Sequence, residues 1–492
     1  MAETSRGATR LDVGLALVPV DFVAREALLF AAFGFLISGI DDLAIDGLYF
    51  LYWLRRRIAG RRAPRPTLAD LAASPARGRI AIFVPAWDEA AVIEPMLRTA
   101  LARLDHPDYH LYVGTYPNDR ATIDAVARVA AADDRVRLVI GPQPGPTTKA
   151  ACLNILWHAL RRAEAAAGAG GDGDGGDSDG RHAGRARAIV LHDAEDVVHP
   201  GELRLFDALI GAHWAVQLPV LPLVDRGSQL VSGHYCDEFA EAHAKQMVVR
   251  QALGAGMPLA GVGCAIAREA LDAIAARRQG DPFDTASLTE DYELGLTISA
   301  LGGRGTLARL REFPGGPLVA VRAYFPASLD AAVRQKARWM IGIALAGWDR
   351  IGWGRPLDLG DHWMRMRDRR APIAVVVLAA AYLALVASAL SLLLHGLTGT
   401  VPQGPLAPPL LLGVNAALLG WRLAMRALFT GAAYGAREAL WSLPRAIAGN
   451  LIAMLAARRA LSRYLAMLGG AAPVWDKTAH MFPAGLGRSG EG

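Results

Sequence analysis

Ile80-Ala81-Ile82-Phe83-Val84-Pro85-Ala86-Trp87-Asp88-Glu89 is the stretch that decides the fold. Its first six residues make a short, β-rich apolar run that stops at a proline, and a helical pattern follows from Glu89 to Leu104. The unit then repeats. Tyr109 to Thr115 predicts a second strand, Asp119 to Ala132 a helix, Val136 to Ile140 a third strand, Lys149 to Arg162 a helix and Ala188 to His192 a fourth strand. Strands alternating with helices imply βαβ units around a mainly parallel sheet. Ligands of such sheets bind beyond the carboxyl ends of the strands, so chemistry is expected in the loops that follow them.

Outward from this α/β core the chain changes character. Its 492 residues are 53% hydrophobic, with a mean hydropathy of +0.24, too apolar for a purely soluble protein. No cleavable signal peptide is evident at the N-terminus. Ala27 to Ile40 is apolar but too short to span a bilayer alone, and Asp41, Asp42 and Asp46 follow within the continuing apolar run to Leu54. The expectation is a first membrane helix around 24–54 that takes in the aspartates, or a segment lying partly in the interface. Pro372 to Leu397 is an uncharged span, and Leu406 to Trp421 its return helix. Arg437 to Leu468 carries Arg445, Arg458, Arg459 and Arg463 and reads as an amphipathic helix on the interface. Three spans follow, with the N-terminus outside and the α/β domain and C-terminus inside. The arginine clusters at 55–57, 61–62 and 365–370 abut apolar segments, where positive-inside topology explains them better than nucleic-acid binding does. Three cysteines, oddly numbered and without metal spacing, support neither a disulfide nor a zinc framework.

The predicted division is 1–60 as N-terminal membrane segment, 79–345 as α/β domain, 346–371 as basic interfacial linker, 372–425 as membrane pair and 426–492 as interfacial helices and tail. Within the domain, 168–184 is almost all Gly, Asp, Ser and Ala. It fails the EF-hand calcium spacing and reads as a disordered insertion.

Several loops carry candidate chemistry. His192-Asp193-Ala194-Glu195-Asp196 puts three carboxylates after the fourth strand, hard oxygen ligands suited to Mg²⁺ or Mn²⁺; an acidic helix cap is the alternative. Lys149 follows a Gly/Pro-rich loop that is no P-loop, and could steady a phosphate or merely be solvated. Asp88 and Glu89 after the first strand, and Asn118 and Asp119 after the second, could meet a nucleoside or cap helices. Thr289-Glu290-Asp291 resembles an ordinary helix start, with Thr289 as N-cap. Gln335, Arg338 and Trp339 fall at i, i+3 and i+4 on one helix face.

Together these residues resemble family 2 glycosyltransferases. Val84-Pro85-Ala86-Trp87-Asp88-Glu89 is similar to that family's first-strand Val-Pro-x-x-Asn-Glu, Asp193-Ala194-Glu195 to its Asp-x-Asp metal motif, and Thr289-Glu290-Asp291 to its general-base motif. Gln335-x-x-Arg338-Trp339 matches the Gln-x-x-Arg-Trp of the processive, membrane-embedded members. Ile37-Ser38-Gly39-Ile40-Asp41-Asp42, Val113-Gly114-Thr115-Tyr116-Pro117-Asn118-Asp119 and Trp475-Asp476-Lys477-Thr478-Ala479-His480 are similar to the inner-membrane bacteriophage adsorption protein B family. The resemblance implies a GT-A-like domain on the cytoplasmic side of a bacterial inner membrane, joined to transmembrane and interfacial helices. It implies Asp291 as base within the acidic pair with Glu290, and Asp193, Glu195 and Asp196 as candidate holders of Mg²⁺ or Mn²⁺. Asp88, Glu89, Asn118, Asp119 and Lys149 would meet the donor. Arg338 would contact the diphosphate, Gln335 close the acceptor end and Trp339 stack on a sugar. The implied reaction is inverting transfer from a UDP-sugar to a growing glycan or lipid-linked acceptor, with membrane lipids and an export partner in the periplasm or outer membrane as companions. The absence of a second nucleophilic carboxylate near Asp291 in the sequence favours inversion. Family members can carry a C-terminal cyclic-di-GMP-binding domain, which this sequence, ending at Gly492, does not lead one to expect. Two rivals stand beside this reading: an inactive membrane scaffold or phage-receptor component, suggested by Asp88 and Glu195 where the family differs, and transfer of one sugar to a lipid carrier.

Overall fold

The computed structural model describes residues 2–60, 66–71, 78–169, 184–402, 407–471 and 481–483. The insertion expected at 168–184 lies almost wholly outside these residues, as do Arg61, Arg62 and the Trp475–His480 tail. Helix α1 (Ala2–Gly60) leads into a domain built on seven strands: β1 (Arg79–Pro85), β2 (Tyr109–Thr115), β3 (Val136–Ile140), β4 (Ala186–Leu191), β5 (Ala215–Gln217), β6 (Cys264–Ala267) and β7 (Gly305–Leu307). They form one sheet in the order β3-β2-β1-β4-β6-β5-β7. The first four strands run parallel, β6 is antiparallel to β4 and β5, and β5 is parallel to β7.

Central β1 is buried from Ile80 to Pro85 on both faces, which is why it reads as a continuous apolar run and not an alternating one. Ile82, Phe83, Val113, Val190, Trp157 and Phe206 meet in the main core. The helices of this domain are α2 (Ile93–Arg103), α3 (Arg120–Ala130), α4 (Lys149–Ala169), α5 (Glu202–Leu209), α6 (Gly233–Glu241), α7 (Met247–Ala252), α8 (Arg268–Arg277) and α9 (Glu290–Ala300). Periodicity predicts the first of these from Glu89, but α2 begins at Ile93. The Glu89 carbonyl accepts from both Val92 and Ile93, making a turn before the helix.

Beyond the sheet come α10 (Leu329–Trp339), α11 (Gly347–Ile351), α12 (Leu359–Arg369) and three long helices, α13 (Ala371–Thr398), α14 (Pro409–Tyr434) and α15 (Ala436–Leu468). Short π-helical turns, Ala242–Gln246 and Met340–Leu345, join α6 to α7 and follow α10. Among the described residues, four helices are long and apolar enough to cross a membrane: Leu17–Ala59, Ala371–Thr398, Pro409–Tyr434 and Ala436–Leu468. The sequence expects three. The fourth, α15, lies along the α/β domain on both its halves. Its buried Arg445 bonds the Gln229 carbonyl at 2.7 Å and Asp237 at 3.2 Å, and Ala456 and Ala460 pack on Ala337 and Ile341.

The aspartates of α1 have specific partners. Asp41 and Asp42 pair with Arg367 and Arg370, and Asp42 also with Arg422. Asp46 meets Lys245 at 2.5 Å and the Trp421 indole at 2.8 Å. These bonds tie α1 to α12, α14 and the α/β domain.

Candidate active site

Pieces from distant parts of the chain meet at one cavity of about 660 Å³. The end of β1 brings Trp87 and Glu89, α4 brings Lys149, and the turn after β4 brings Asp193, Glu195 and Asp196. The first turn of α9 brings Glu290 and Asp291, and α10 brings Gln335, Arg338 and Trp339.

The centre is a group of opposed charges. Lys149 Nζ lies 2.5 Å from Asp193 Oδ1 and donates to the Gly261 carbonyl at 3.3 Å. Burial opposes the charge on Lys149, but Asp193, Glu290 and Asp291 outweigh it and raise its pKa. Burial pushes Glu290 up to about 7, with Asp291 adding to the rise. Asp291 is raised too, by burial against the lowering from Lys149. Its Oδ1 accepts from the Tyr292 N–H at 2.7 Å. On the other side Gly261, at φ +73°, presses against the carboxylate; an added Cβ would clash with it. Glycine is required there both for the positive φ and for the close approach.

Beneath the acidic turn, His192 is fully buried between Asp196 (Nδ1 to Oδ2, 2.9 Å) and Glu202 (Nε2 to Oε1, 2.7 Å). Burial disfavours its charge, but these carboxylates prevail and raise its pKa to about 10. The imidazolium is thus a pillar under Asp193. Asp196 Oδ2 also accepts from the Asp193 N–H at 3.0 Å. Asp196, expected among the metal holders, lines the cavity with Asp193 and Glu195 while its Oδ2 shapes the turn.

Asp88, Asn118 and Asp119 are not among the cavity's walls. Asp119 caps α3 through Thr122 N–H at 3.3 Å and receives the Asp88 N–H at 2.5 Å. Asn118 exchanges two bonds with Gly145, at 2.7 and 2.8 Å. These residues fasten the loops after β1 and β2 to the loop before Lys149, behind the edge-on pair Trp87 and Tyr116. Thr289 sits at the N-cap position but its side chain caps nothing. Its buried hydroxyl faces Gly342 of the second π-turn.

Trp339 packs with Tyr235 and Phe239, ring centroids 6.1 and 6.2 Å away, and Phe325 lies 4.9 Å from each of those two rings. Lys336 lies 5.1 Å from the Tyr235 ring centroid and pairs with Glu238. Sequence reasoning misses this aromatic wall, the His192–Glu202 pair and Tyr292. Glu202 lies ten residues after His192 and Tyr292 directly follows Asp291, so these two have a nearby signal; Tyr235, Phe239 and Phe325 reach Trp339 only through the fold.

A family model described as glycosyltransferase like family 2 matches residues 75–342. Bacteriophage adsorption protein B from Escherichia coli K12 is 36% identical over 474 residues, covering 92% of this chain and 61% of the relative. Bacteriophage N4 adsorption protein B from Escherichia coli O157:H7 matches to the same extent. The chain thus spans 61% of the length of these curated relatives. A mannosyltransferase from Pyrobaculum calidifontis, solved in complex with GDP-Man and Mn²⁺, is 20% identical and superposes with a TM-score of 0.50, covering 87% of this chain and 99% of that one. That likeness is one of fold.

Proposed function

The chain belongs to glycosyltransferase like family 2, and we propose that it moves a sugar from a nucleotide-sugar, UDP-linked, to a growing glycan at the cytoplasmic face of a bacterial inner membrane, with inversion at the anomeric carbon. The observation that carries this reading is the convergence of Lys149, Asp193, Glu290, Asp291 and Arg338 on one cavity. Asp291 takes the proton from the acceptor hydroxyl, since it is a half-buried carboxylate with a raised proton affinity and a fixed Oδ1. Lys149 and Arg338 meet the negative charge of the departing diphosphate, for which a guanidinium offers paired donors. Trp339, backed by Tyr235 and Phe239, gives the acceptor sugar a face to stack on. Asn118 and Asp119 shape the nucleoside end by holding its loops.

A divalent cation fits the donor set. Among the described residues no group of three or more His, Cys, Asp or Glu side chains is arranged to hold one alone. Asp193 and Glu195 are hard oxygen ligands of the kind that hold Mg²⁺ or Mn²⁺ together with substrate phosphates. When bound, the cation would neutralise the leaving diphosphate. Inversion rests on the family: Glu290 and Asp193 stand close enough to Asp291 to act on its charge, so a lack of neighbouring carboxylates does not argue for it.

The test incubates membranes holding the full chain with labelled UDP-sugars or GDP-mannose and Mn²⁺, wild type beside Asp291→Asn. Long, Asp291-dependent product supports the proposal. Short lipid-linked product would move it to single-sugar transfer. No turnover with any donor, in a folded protein, would favour an inactive scaffold.

A further inference from the structure

Tyr292 follows Asp291 on α9 and links it to a second helix: the backbone meets Asp291 and the side chain meets α12. Its N–H donates to Asp291 Oδ1 at 2.7 Å, and its hydroxyl donates to Asp368 Oδ2, also at 2.7 Å. Between these bonds the side chain is buried. Asp368 belongs to α12 and is fixed in turn by Arg250, whose Nη1 bonds both carboxylate oxygens at 2.8 and 2.9 Å. Its chain neighbour Arg367 reaches the other way, to Asp41 and Asp42 of α1. Successive residues of a helix point about 100° apart, so two adjacent side chains can grip two different elements. Both also line the cavity.

The start of α9 needs such anchors. Thr289 gives it no side-chain cap; the first turn is held locally by Ser287, whose hydroxyl donates to Glu293 at 2.6 Å, and from other elements by Arg350 on Glu293 at 2.7 and 3.0 Å and Asp368 on Tyr292. Arg350 grips the side of the turn away from Asp291's own bond. Only the Tyr292 anchor shares a residue with that bond.

Resting on the reading of Asp291 as the base, we propose that Tyr292 and Asp368 are positioning residues that make the base's alignment depend on how α12 is seated against membrane helix α1. The route is continuous: Asp41 and Asp42 hold Arg367, Arg367 and Asp368 are consecutive on one rigid helix, Asp368 holds the Tyr292 hydroxyl, and the Tyr292 N–H holds the carboxylate. Misplacing a reacting group by about 1 Å costs up to about a hundred-fold in rate without weakening substrate binding elsewhere.

The test uses Tyr292→Phe in the full chain in bilayers, because it removes one hydroxyl and keeps the ring and the N–H. The expected result is a fall in kcat of about ten-fold or more, with donor KM and nucleotide affinity unchanged. Wild-type kcat would overturn the proposal, as would equal losses in kcat and nucleotide affinity, which would mean a general collapse of the cavity. Asp41→Asn, alone and combined with Tyr292→Phe, tests the link to α1. A double variant no slower than the slower single supports one shared route; losses that multiply would break it. Asp291→Asn run in parallel separates the two readings. If it keeps turnover, the assignment of the base fails; if it is dead while Tyr292→Phe is normal, only the positioning fails.

Discussion

Gly261→Ala should separate a backbone cost from a catalytic one. Gly261 has φ +73°, and a Cβ there would come within 3.1 Å of Asp291 Cγ and 3.3 Å of its Cβ, and closer still to Oδ2. A left-handed conformation costs an alanine about 1–2 kcal/mol in stability. The contact adds a second penalty, because neither side can withdraw freely. Asp291 Oδ1 is bound to Tyr292 N–H at 2.7 Å, and retreat of the loop would pull the Gly261 carbonyl from Lys149 Nζ, now 3.3 Å away. If the carboxylate gives way by about 1 Å, kcat should fall by about a hundred-fold. Gly254 supplies the control: its φ is +71°, yet nothing lies within 4 Å of its added Cβ. Gly254→Ala should therefore lose about the same stability and leave kcat unchanged. The assay is initial-rate turnover with the donor that proves active, beside thermal unfolding of both variants. Equal kcat in the two variants, at matched stability, would refute the claim that Gly261 exists to admit the Asp291 carboxylate.

His192→Asn should destabilise the domain by about 3–5 kcal/mol, read as a lower Tm, since it leaves Asp196 and Glu202 buried without their charged partner. The same pair sets an alkaline limit. A histidine raised to about 10 contributes stability that is complete below its unfolded value near 6.5 and lost as pH rises through about 10, so Tm should drop across that window. Arg445→Met leaves Glu438 and Asp237, the latter already raised to about 6 mainly by burial, without their arginine; it should cost about 3–5 kcal/mol and expose α15 to limited proteolysis. The kcat/KM profile should fall on the acid side of about pH 7, because the raised Glu290–Asp291 pair then keeps a proton that the base form must lose. Glu290→Gln should carry that limb to lower pH by removing one of two mutually repelling charges. The raised Glu290 also means that its contribution to stability, present below its ordinary carboxyl range, is lost as pH rises through about 7.

The parallel half of the domain is legible because β1, β2 and β4 are long enough, and buried on both faces enough, to read as apolar runs between loops, while β3, with only Val136 buried, is read from its aliphatic residues. β5, β6 and β7 are not legible for the opposite reason: they span three or four residues each, and Cys264-Ala265-Ile266-Ala267 has no alternation to read. Among the site residues, Asp193, Asp291 and Arg338 stand at strand or helix ends, where position alone gives a reason to look. Asn118 and Asp119 stand at such ends too, and their side chains bond neighbouring loops, Asp119 receiving the Asp88 N–H. Sequence position marks the end of a strand; it does not say whether a side chain there turns to the ligand or back to the scaffold. The anchors of the base are hidden for a further reason. Asp368 meets Tyr292 only because α12 is folded back under α9, a pairing between residues 76 positions apart.

The aspartates of α1 pose a contradiction in the sequence that the packing of α1 on α13 removes. Ala27 to Ile40 alone covers about 21 Å at 1.5 Å per residue, short of a hydrocarbon core of about 30 Å, so the sequence draws Asp41, Asp42 and Asp46 into the expected span. The antiparallel partner shows a different level for each. Asp21 bonds Ser391 at 2.6 Å and His395 at 3.0 Å. Gly34 lies against Val377, and Asp41 pairs with Arg370, the residue before α13 begins. The stretch of α1 between its two partnered ends, Asp21 and Asp41, is about 30 Å long and matches the hydrocarbon thickness. Arg25 and Glu26 fall near its Asp21 end and stay more than half exposed, placed for their charged tips to reach beyond an apolar layer. Asp41 and Asp42 then stand where the bundle meets the α/β domain, neutralised by arginines instead of lipid-exposed, and Asp46 lies beyond them on Lys245 of the domain itself. An acidic run that is costly inside a bilayer becomes, one helical turn lower, the bond that fixes the domain to the membrane.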